Sequence, residues 1–493
     1  MGVQHFLRES AARYPDKVAV IQGRERITYA QLASRAGRVA NRLQAKGLLP
    51  GERVAILSDQ AGPYIAAYFG VLAAGGVVQA LNSQPGERDL LAVMADSGAS
   101  FLLTQAKYKK FLPALAGLPA LRMVEKDMTS LYEDETVSCR WPEEQGDDED
   151  LAQLIYTSGT TGPPKGVMLR HRNLMANSAS IISYLGLQHR DRVMAVLPFF
   201  YSYGNSVLLT HIAVGATLVV HQNFTYPNTV LELMRKEEVT GFSGVPSTFA
   251  LLLNRSAVRD YYFPALRYLT QAGAAMSPAL AGQLRDIFPG VAVYIMYGQT
   301  EASARLAYLA PEELEARAGS IGQAIPGVEL LLAQPDGSPT PVGQVGEIIA
   351  RGGNVMAGYW QRPEESAKVL RDGWLWTGDL ARQDENGYFY VESRKGDMIK
   401  SGSHRIGPQE IEHVIMESGP VHEVAVVGVA DEILGEAIRA CVVLKPETKL
   451  APKELIRHCR RLLPGFKVPH RVDFFAELPK TATGKIKKAE LRT

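Results

Sequence analysis

Residues 156–169, Tyr-Thr-Ser-Gly-Thr-Thr-Gly-Pro-Pro-Lys-Gly-Val-Met-Leu, leave this chain few folding choices. They follow the apolar run Leu154-Ile155 and precede a helix-like segment, Arg172–Asn177. A buried strand that feeds a Gly/Ser/Thr loop turns several backbone N–H groups and hydroxyls toward one point. Such a cradle suits a phosphate chain, because oriented amide dipoles stabilise negative charge without a full countercharge. Thr157, Ser158, Gly159, Thr160, Thr161 and Gly162 are the candidate contacts, and Lys165 adds the cation at the loop's end. The stretch is not a Walker loop, since Lys165 is followed by Gly166 rather than Ser or Thr. Alone, a cluster of small residues reads equally as a surface loop. The strand before it and the long run of matching positions favour the phosphate reading.

The rest of the chain supplies that strand's neighbours. Helix-like residues through Leu43, the strand Arg53–Leu57 and the strand Phe101–Thr104 alternate before the loop. The strands Ala216–Val220 and Val293–Tyr297 continue the rhythm after it. Alternation of this kind implies mostly parallel sheets covered by helices. Residues 60–86 carry no charge, but Gly75-Gly76 interrupts them, so a buried helix, a glycine turn and a buried strand are expected rather than a membrane span. From about residue 320, turns such as Pro335-Asp336-Gly337 and Asp384–Gly387 separate short strands, which predicts a β-rich subdomain over about 320–395. Residues 396–493 read as a compact α+β unit with helices at Pro408–Ser418 and Lys453–Leu463 and strands at Glu423–Val429, Ile438–Leu444 and Asp473–Phe475. The expected fold class is therefore α/β: a large N-terminal part, 1–395, holding two helix-covered sheets and the β-rich subdomain, followed by a small mobile C-terminal domain.

At 493 residues more than one domain is expected. A net charge of +1 argues against nucleic-acid binding by bulk electrostatics. The three cysteines, Cys139, Cys441 and Cys459, lack metal-ligand spacing, and their odd number discourages a disulfide framework, so a cytoplasmic setting is expected.

Three further motifs complete the chemistry. Tyr297-Gly298-Gln299-Thr300-Glu301 follows a strand, and its aromatic, hydroxyl and carboxylate can serve a base, a phosphate and Mg²⁺. Trp376-Thr377-Gly378-Asp379-Leu380 offers a carboxylate able to accept both hydroxyls of a ribose. Pro479–Lys487 ends the chain with a basic segment around Gly484-Lys485. Each alone has a plainer reading, as a strand-end turn, a capping Asp or a solvated tail. Together, and in this order, they resemble the signatures of the adenylate-forming superfamily: acyl-CoA synthetases, nonribosomal peptide adenylation domains and beetle luciferases.

The resemblance implies roles. Tyr297 packs on adenine with the turn Gly273-Ala274-Ala275, beside Gly298 and Gln299; Thr300 meets the α-phosphate; Glu301, with Thr160, holds Mg²⁺. Asp379 takes the ribose with Arg394 nearby, and Lys485 swings over the site to bridge the attacking carboxylate and the α-phosphate. The implied substrates are ATP and a small carboxylic acid, with CoA or a phosphopantetheine thiol as acceptor. No nucleic acid partner is implied. A hinge is expected near Gly396, where the superfamily usually has Asp or Lys. Ser401, Gly402, Ser403 and Arg405 correspond to the thiol tunnel; Ser403 stands where glycine is usual, which favours a free-standing ligase loading an acyl carrier protein, whereas Arg405 favours CoA. A luciferase-like oxygenase is not separated by these residues. Phe200, Tyr201, Ser202, Gly204, Val245, Phe249 and Leu306 are the expected acyl walls. Ser202 replaces the Asp that binds an α-amine in peptide synthetases, so an aliphatic or aryl acid is expected. Phe200 and Phe249 fit pocket and core equally.

Overall fold

Thr28 and Gln31 close a capping box at the start of helix Tyr29–Ala45, satisfying two backbone donors reciprocally. Its buried stripe, Leu32, Ala36, Val39 and Leu43, recurs at helical spacing. That stripe packs on helix Ala61–Ala73, which is buried from Ala61 to Leu72. A helix apolar on every side belongs inside a protein, and here it runs into the buried strand Val77–Ala80 through Gly75 at φ +81°. Among the described residues no helix is long and apolar enough to cross a membrane. The structure is a computed structural model and describes all residues except 144–145, 158–163, 222–223, 402–403, 432–433, 482–484 and 493.

Two large sheets form the N-terminal part. In the first, seven strands run in the order Gly358–Tyr359, Lys165–Arg170, Leu151–Thr157, Val77–Ala80, Arg53–Ile56, Phe101–Leu103, Met123–Glu125. The last five are parallel. In the second sheet the strands Ala292–Tyr297, Tyr268–Gln271, Gly241–Gly244, Arg192–Ala195, Thr217–Val220 and Val18–Gln22 lie parallel side by side. One apolar core, which includes Tyr68, Phe69, Leu208 and Leu306, joins the faces of both sheets. A third sheet of five strands, Val328–Ala333 through Phe389–Arg394, is the β-rich part expected from the turns.

The last sheet has its own core of Ile399, Ile406, Ile411, Val426, Ile438 and Leu455. Helices Pro408–Glu417 and Pro452–Leu462 and strands Val421–Asp431, Gly435–Leu444 and Arg471–Phe474 lie within two residues of their expected bounds, apart from the early start of Gly435–Leu444.

One local expectation changes. The glycine-rich stretch does not lead straight into a helix, because the strand Lys165–Arg170 intervenes before helix His171–Leu185. That strand pairs antiparallel with Leu151–Thr157, with Thr157 opposite Lys165. The signature therefore links two neighbouring antiparallel strands, so a helix dipole contributes nothing at Lys165. Glu149, just before the strand Leu151–Thr157, accepts hydrogen bonds from both Arg170 and Arg172.

Candidate active site

The carboxyl ends of four parallel strands define one edge of the second sheet. Arg192–Ala195 leads to Pro198–Gly204, Gly241–Gly244 to Val245, Tyr268–Gln271 to Gly273–Ala275, and Ala292–Tyr297 to Gly298–Glu301. Open α/β sheets bind ligands at such ends. Gly273 has φ +95°, and a side chain there would also approach Val245 Cγ1 at 3.3 Å. Ala274 and Ala275 are exposed, and Gln271 donates to the Ala274 carbonyl at 2.7 Å to fix the turn.

The second and third motifs meet directly. The Tyr297 hydroxyl donates to Asp379 Oδ2 at 2.6 Å, and Arg394 Nε donates to Asp379 Oδ1 at 2.8 Å. Asp379 is buried, so the pair compensates its charge away from bulk solvent, and each oxygen keeps a lone pair able to accept a further hydroxyl. Burial first and the Asp379 charge second raise the Tyr297 pKa, so the phenol remains a donor. The Asp379 charge likewise raises that of Arg394. Gly378, at φ +75°, is held by Glu347, which accepts from the Gly378 amide at 3.0 Å and from Lys395 at 2.8 Å.

The first motif arrives through Tyr359. Its hydroxyl donates to Glu301 Oε1 at 2.9 Å, and Lys165 Nζ lies 5.2 Å from its ring centroid while pairing with Glu365. Burial and the Glu301 charge raise the Tyr359 pKa. Behind Thr157, the Tyr156 hydroxyl donates to Asp96 at 2.8 Å, and Arg362 pairs with the other oxygen of Asp96 at 2.6 Å. Ser158, Gly159, Thr160, Thr161 and Gly162 lie outside the described residues. Glu365, Tyr359, Asp96 and Arg362 went unread in the sequence; the only local cue is the carboxylate pair Glu364-Glu365 near Tyr359.

Lys485 completes the group. Its surface is exposed, yet neighbouring atoms partly desolvate its ammonium. That partial burial lowers its pKa, the Arg394 charge lowers it further, and Asp379 and Glu301 raise it again. The terminal lysine therefore shares the field of the residues that carry the second and third motifs.

The expected acyl walls divide. Ser202 Oγ lies 3.2 Å from Thr300 Oγ1, joining this wall to the catalytic motif. Phe200 lies against Tyr201 with ring centroids 4.1 Å apart and planes tilted by 50°, and burial pushes the Tyr201 phenol up to about 12. Val245 packs against the main core, and Leu306 is buried, its amide bonded to the Tyr297 carbonyl at 2.8 Å. Phe249 sits in the second core cluster, packed edge-on against Phe242 at 5.5 Å. Gly204 is fixed by packing, since a Cβ there would lie 2.1 Å from the Pro198 carbonyl oxygen.

Gly298 has the same constraint inside the motif. A Cβ would come within 2.1 Å of the Ala304 oxygen and 2.7 Å of Arg305 Cα, both backbone atoms. Gly298→Ala is expected to lower stability by about 1–3 kcal/mol through overpacking. Urea unfolding checks this; a midpoint equal to that of the parent would show that the turn yields freely.

Gln299 precedes the short 3₁₀ turn Thr300–Ala302 and accepts from the Ala302 amide at 3.0 Å. Ser401 is buried on a strand of the C-terminal sheet, opposite His404 and Gly435. Gly402 and Ser403, and the side chain of Arg405, lie outside the described residues.

A family model for AMP-binding enzymes matches residues 7–360, and that for the AMP-binding enzyme C-terminal domain matches 410–485. The chain is 37% identical to a feruloyl-CoA synthase of Amycolatopsis sp, over 97% of this chain and 96% of the relative. It is 32% identical to a long-chain-fatty-acid–CoA ligase of Bacillus subtilis, over 99% and 94%. The crystal structure of an anthranilate CoA ligase in complex with anthranoyl-AMP superimposes with a TM-score of 0.93 at 26% identity, covering 100% of this chain and 96% of that one. With its four signatures in order and two of them hydrogen-bonded across one cleft, the chain belongs to the AMP-binding enzyme family of adenylate-forming ligases.

Proposed function

We propose that the protein activates a carboxylic acid of aliphatic or aryl type with ATP and transfers the acyl group to the thiol of CoA. The Tyr297–Asp379–Arg394 cluster beside Glu301 and Lys485 carries this reading. In the first step an acid oxygen attacks the α-phosphorus of ATP and the bond to the bridging oxygen breaks, giving acyl-AMP and pyrophosphate. In the second a thiol sulfur attacks the acyl carbon, its proton passes to solvent, and AMP leaves.

The residues divide this work. Asp379 accepts the ribose hydroxyls, with Arg394 and Tyr297 fixing its plane. Lys165 and the backbone of the glycine-rich stretch cradle the β- and γ-phosphates. Thr300, steadied by Ser202, holds an α-phosphate oxygen. Glu301, oriented by Tyr359, is a fixed carboxylate with a hydroxyl beside it, a donor set that suits a hard cation keeping most of its waters. Mg²⁺ bound there would neutralise phosphate charge. Lys485 then places its ammonium where charge grows on the equatorial oxygens, so it favours the transition state over bound ATP.

Residues 396–493 act as a lid turning near Gly396. A Cβ at that residue would meet open space, and Arg492 bridges the Gly396 carbonyl and Asp397, both at 2.8 Å. After the turn, Ser401, Gly402, Ser403 and Arg405 would line the path of the thiol. Two relatives, one named for an aryl acid and one for long-chain fatty acids, bracket the acid without choosing. Both are named for CoA, which favours it over a carrier protein. A cytoplasmic setting suits the three cysteines, all free thiols.

Acid-dependent pyrophosphate exchange across a panel of carboxylates tests the first step, and thioester formation with CoA or a holo-carrier protein tests the second. Exchange with at least one acid and product with free CoA are expected. A panel in which no acid supports exchange would end the enzymatic reading; product with carrier alone would replace CoA.

A further inference from the structure

Five charged side chains other than histidine are buried among the described residues: Asp191, Glu237, Arg305, Glu347 and Asp379. Four of them have an ion-pair partner. Arg267 meets Asp191 at 2.7 Å, Arg26 meets Glu237 at 2.6 Å, Lys395 meets Glu347 at 2.8 Å and Arg394 meets Asp379 at 2.8 Å. Arg305 is the exception. It is 3% exposed, and among the described residues no carboxylate pairs with it. Its guanidinium has weak or neutral neighbours: the Tyr203 ring at 4.0 Å, Met296 Sδ at 3.3 Å from Nε, the Ala304 carbonyl at 3.1 Å from Nη1, and the Tyr184 hydroxyl. An isolated buried cation is costly unless something compensates its charge.

Its position says what could. Arg305 follows Glu301 by four residues, through a backbone with two consecutive positive φ angles, Ser303 at 60° and Ala304 at 154°. Strain of this kind persists where the surroundings over-determine it, often at ligand sites. Here the Arg305 carbonyl is clamped by Asn177 at 3.2 Å and Asn354 at 2.8 Å. The ring under its guanidinium, Tyr203, adjoins Ser202, whose hydroxyl meets Thr300. Contacts therefore link Thr300, through Ser202 and the neighbouring Tyr203, to a guanidinium with no carboxylate partner among the described residues.

We infer that Arg305 is a specificity-determining residue, reading an acceptor oxygen at the end of the acid remote from the reacting carboxyl. The inference rests on the ligase reading above and adds to it the class of acid. A guanidinium gives two parallel donors in a rigid fork, which matches a carboxylate best and also serves an aryl hydroxyl. The apolar walls then hold the middle of the substrate, and its far end carries the polar group.

The test compares matched acids on the full chain: a dicarboxylic acid with its monomethyl ester, and a para-hydroxy aryl acid with its para-methyl isostere. In pyrophosphate exchange, wild-type kcat/KM is expected to favour the acceptor-bearing member of at least one pair by about tenfold or more. Which pair responds identifies the group as carboxylate or hydroxyl. Arg305→Met should erase that preference with unchanged affinity for a non-hydrolysable ATP analogue, Arg305→Lys should keep part of it, and the ligand-free Tm of Arg305→Met should not fall. Absence of preference in both pairs overturns the inference. So does an equal loss for both members in Arg305→Met accompanied by a lower Tm, the mark of a merely structural residue. If no acid supports exchange, thermal stabilisation by the same acids with the ATP analogue still decides. Stabilisation of wild type but not of Arg305→Met by an acceptor-bearing acid upholds Arg305's role while the ligase reading fails; none in either protein overturns both.

Discussion

Lys485→Ala is expected to slow acyl-AMP formation by about 10²–10³-fold, the loss typical of removing one preorganised charge-stabilising group from a transition state. ATP affinity should change little, because the Asp379–Arg394–Tyr297 cluster proposed to hold the nucleoside is hydrogen-bonded without the lysine. Thioester formation from added acyl-AMP should also persist, since attack in that step falls on the acyl carbon and no bond to phosphorus is made or broken. Single-turnover adenylation, ATP-analogue binding and the isolated second step separate the three quantities. Equal losses in both half-reactions would mean that Lys485 supports the lid rather than the chemistry.

The same residue sets a pH dependence. Only the ammonium form can stabilise the oxygens, and partial burial with Arg394 nearby holds its pKa below the ordinary lysine value. Adenylation should therefore fall on the alkaline side as Lys485 loses its proton, at a lower pH than an exposed lysine would give. Bound nucleotide, being anionic, should move that limb upward again. A pH profile flat through the alkaline range for single-turnover adenylation would count against the assignment.

Asp379→Asn should be nearly as damaging, by a different route. The carboxylate accepts from both Tyr297 and Arg394 in a buried setting, and the amide would present an N–H to one of those donors. A hydrogen bond to a charged group is worth about 1.5–3 kcal/mol, so KM for ATP should rise by about 10–100-fold. The effect should fall on KM more than on kcat, because ribose contacts exist in the ground state as well as in the transition state. Titration of an ATP analogue is the direct check, and unchanged affinity would move the ribose away from Asp379.

Both predictions draw on motifs legible in the chain. Tyr297–Glu301, Thr377–Asp379 and the stretch around Lys485 are each short, so local backbone geometry and residue type carry their meaning. The strands preceding the first two were readable for the same reason, as were the capped helix Tyr29–Ala45 and the uncharged helix Ala61–Ala73. Less legible was the antiparallel strand Lys165–Arg170, whose alternation is hidden by the glycine-rich signature running into it.

Sequence by itself carried the motifs behind the proposed chemistry: the glycine-rich stretch, the Asp379 and Glu301 carboxylates and a late lysine, in the family's order. Tertiary structure alone decided which charges are satisfied. Lys165 finds Glu365, and Asp96 finds Arg362, across separations of two hundred residues or more. Arg305 finds no acid at all among the described residues. In the chain it is one of 53 basic residues, indistinguishable from those on the surface. The physical reason is that electrostatic cost depends on burial and on every neighbour in space, and neither quantity is written in the local order of residues.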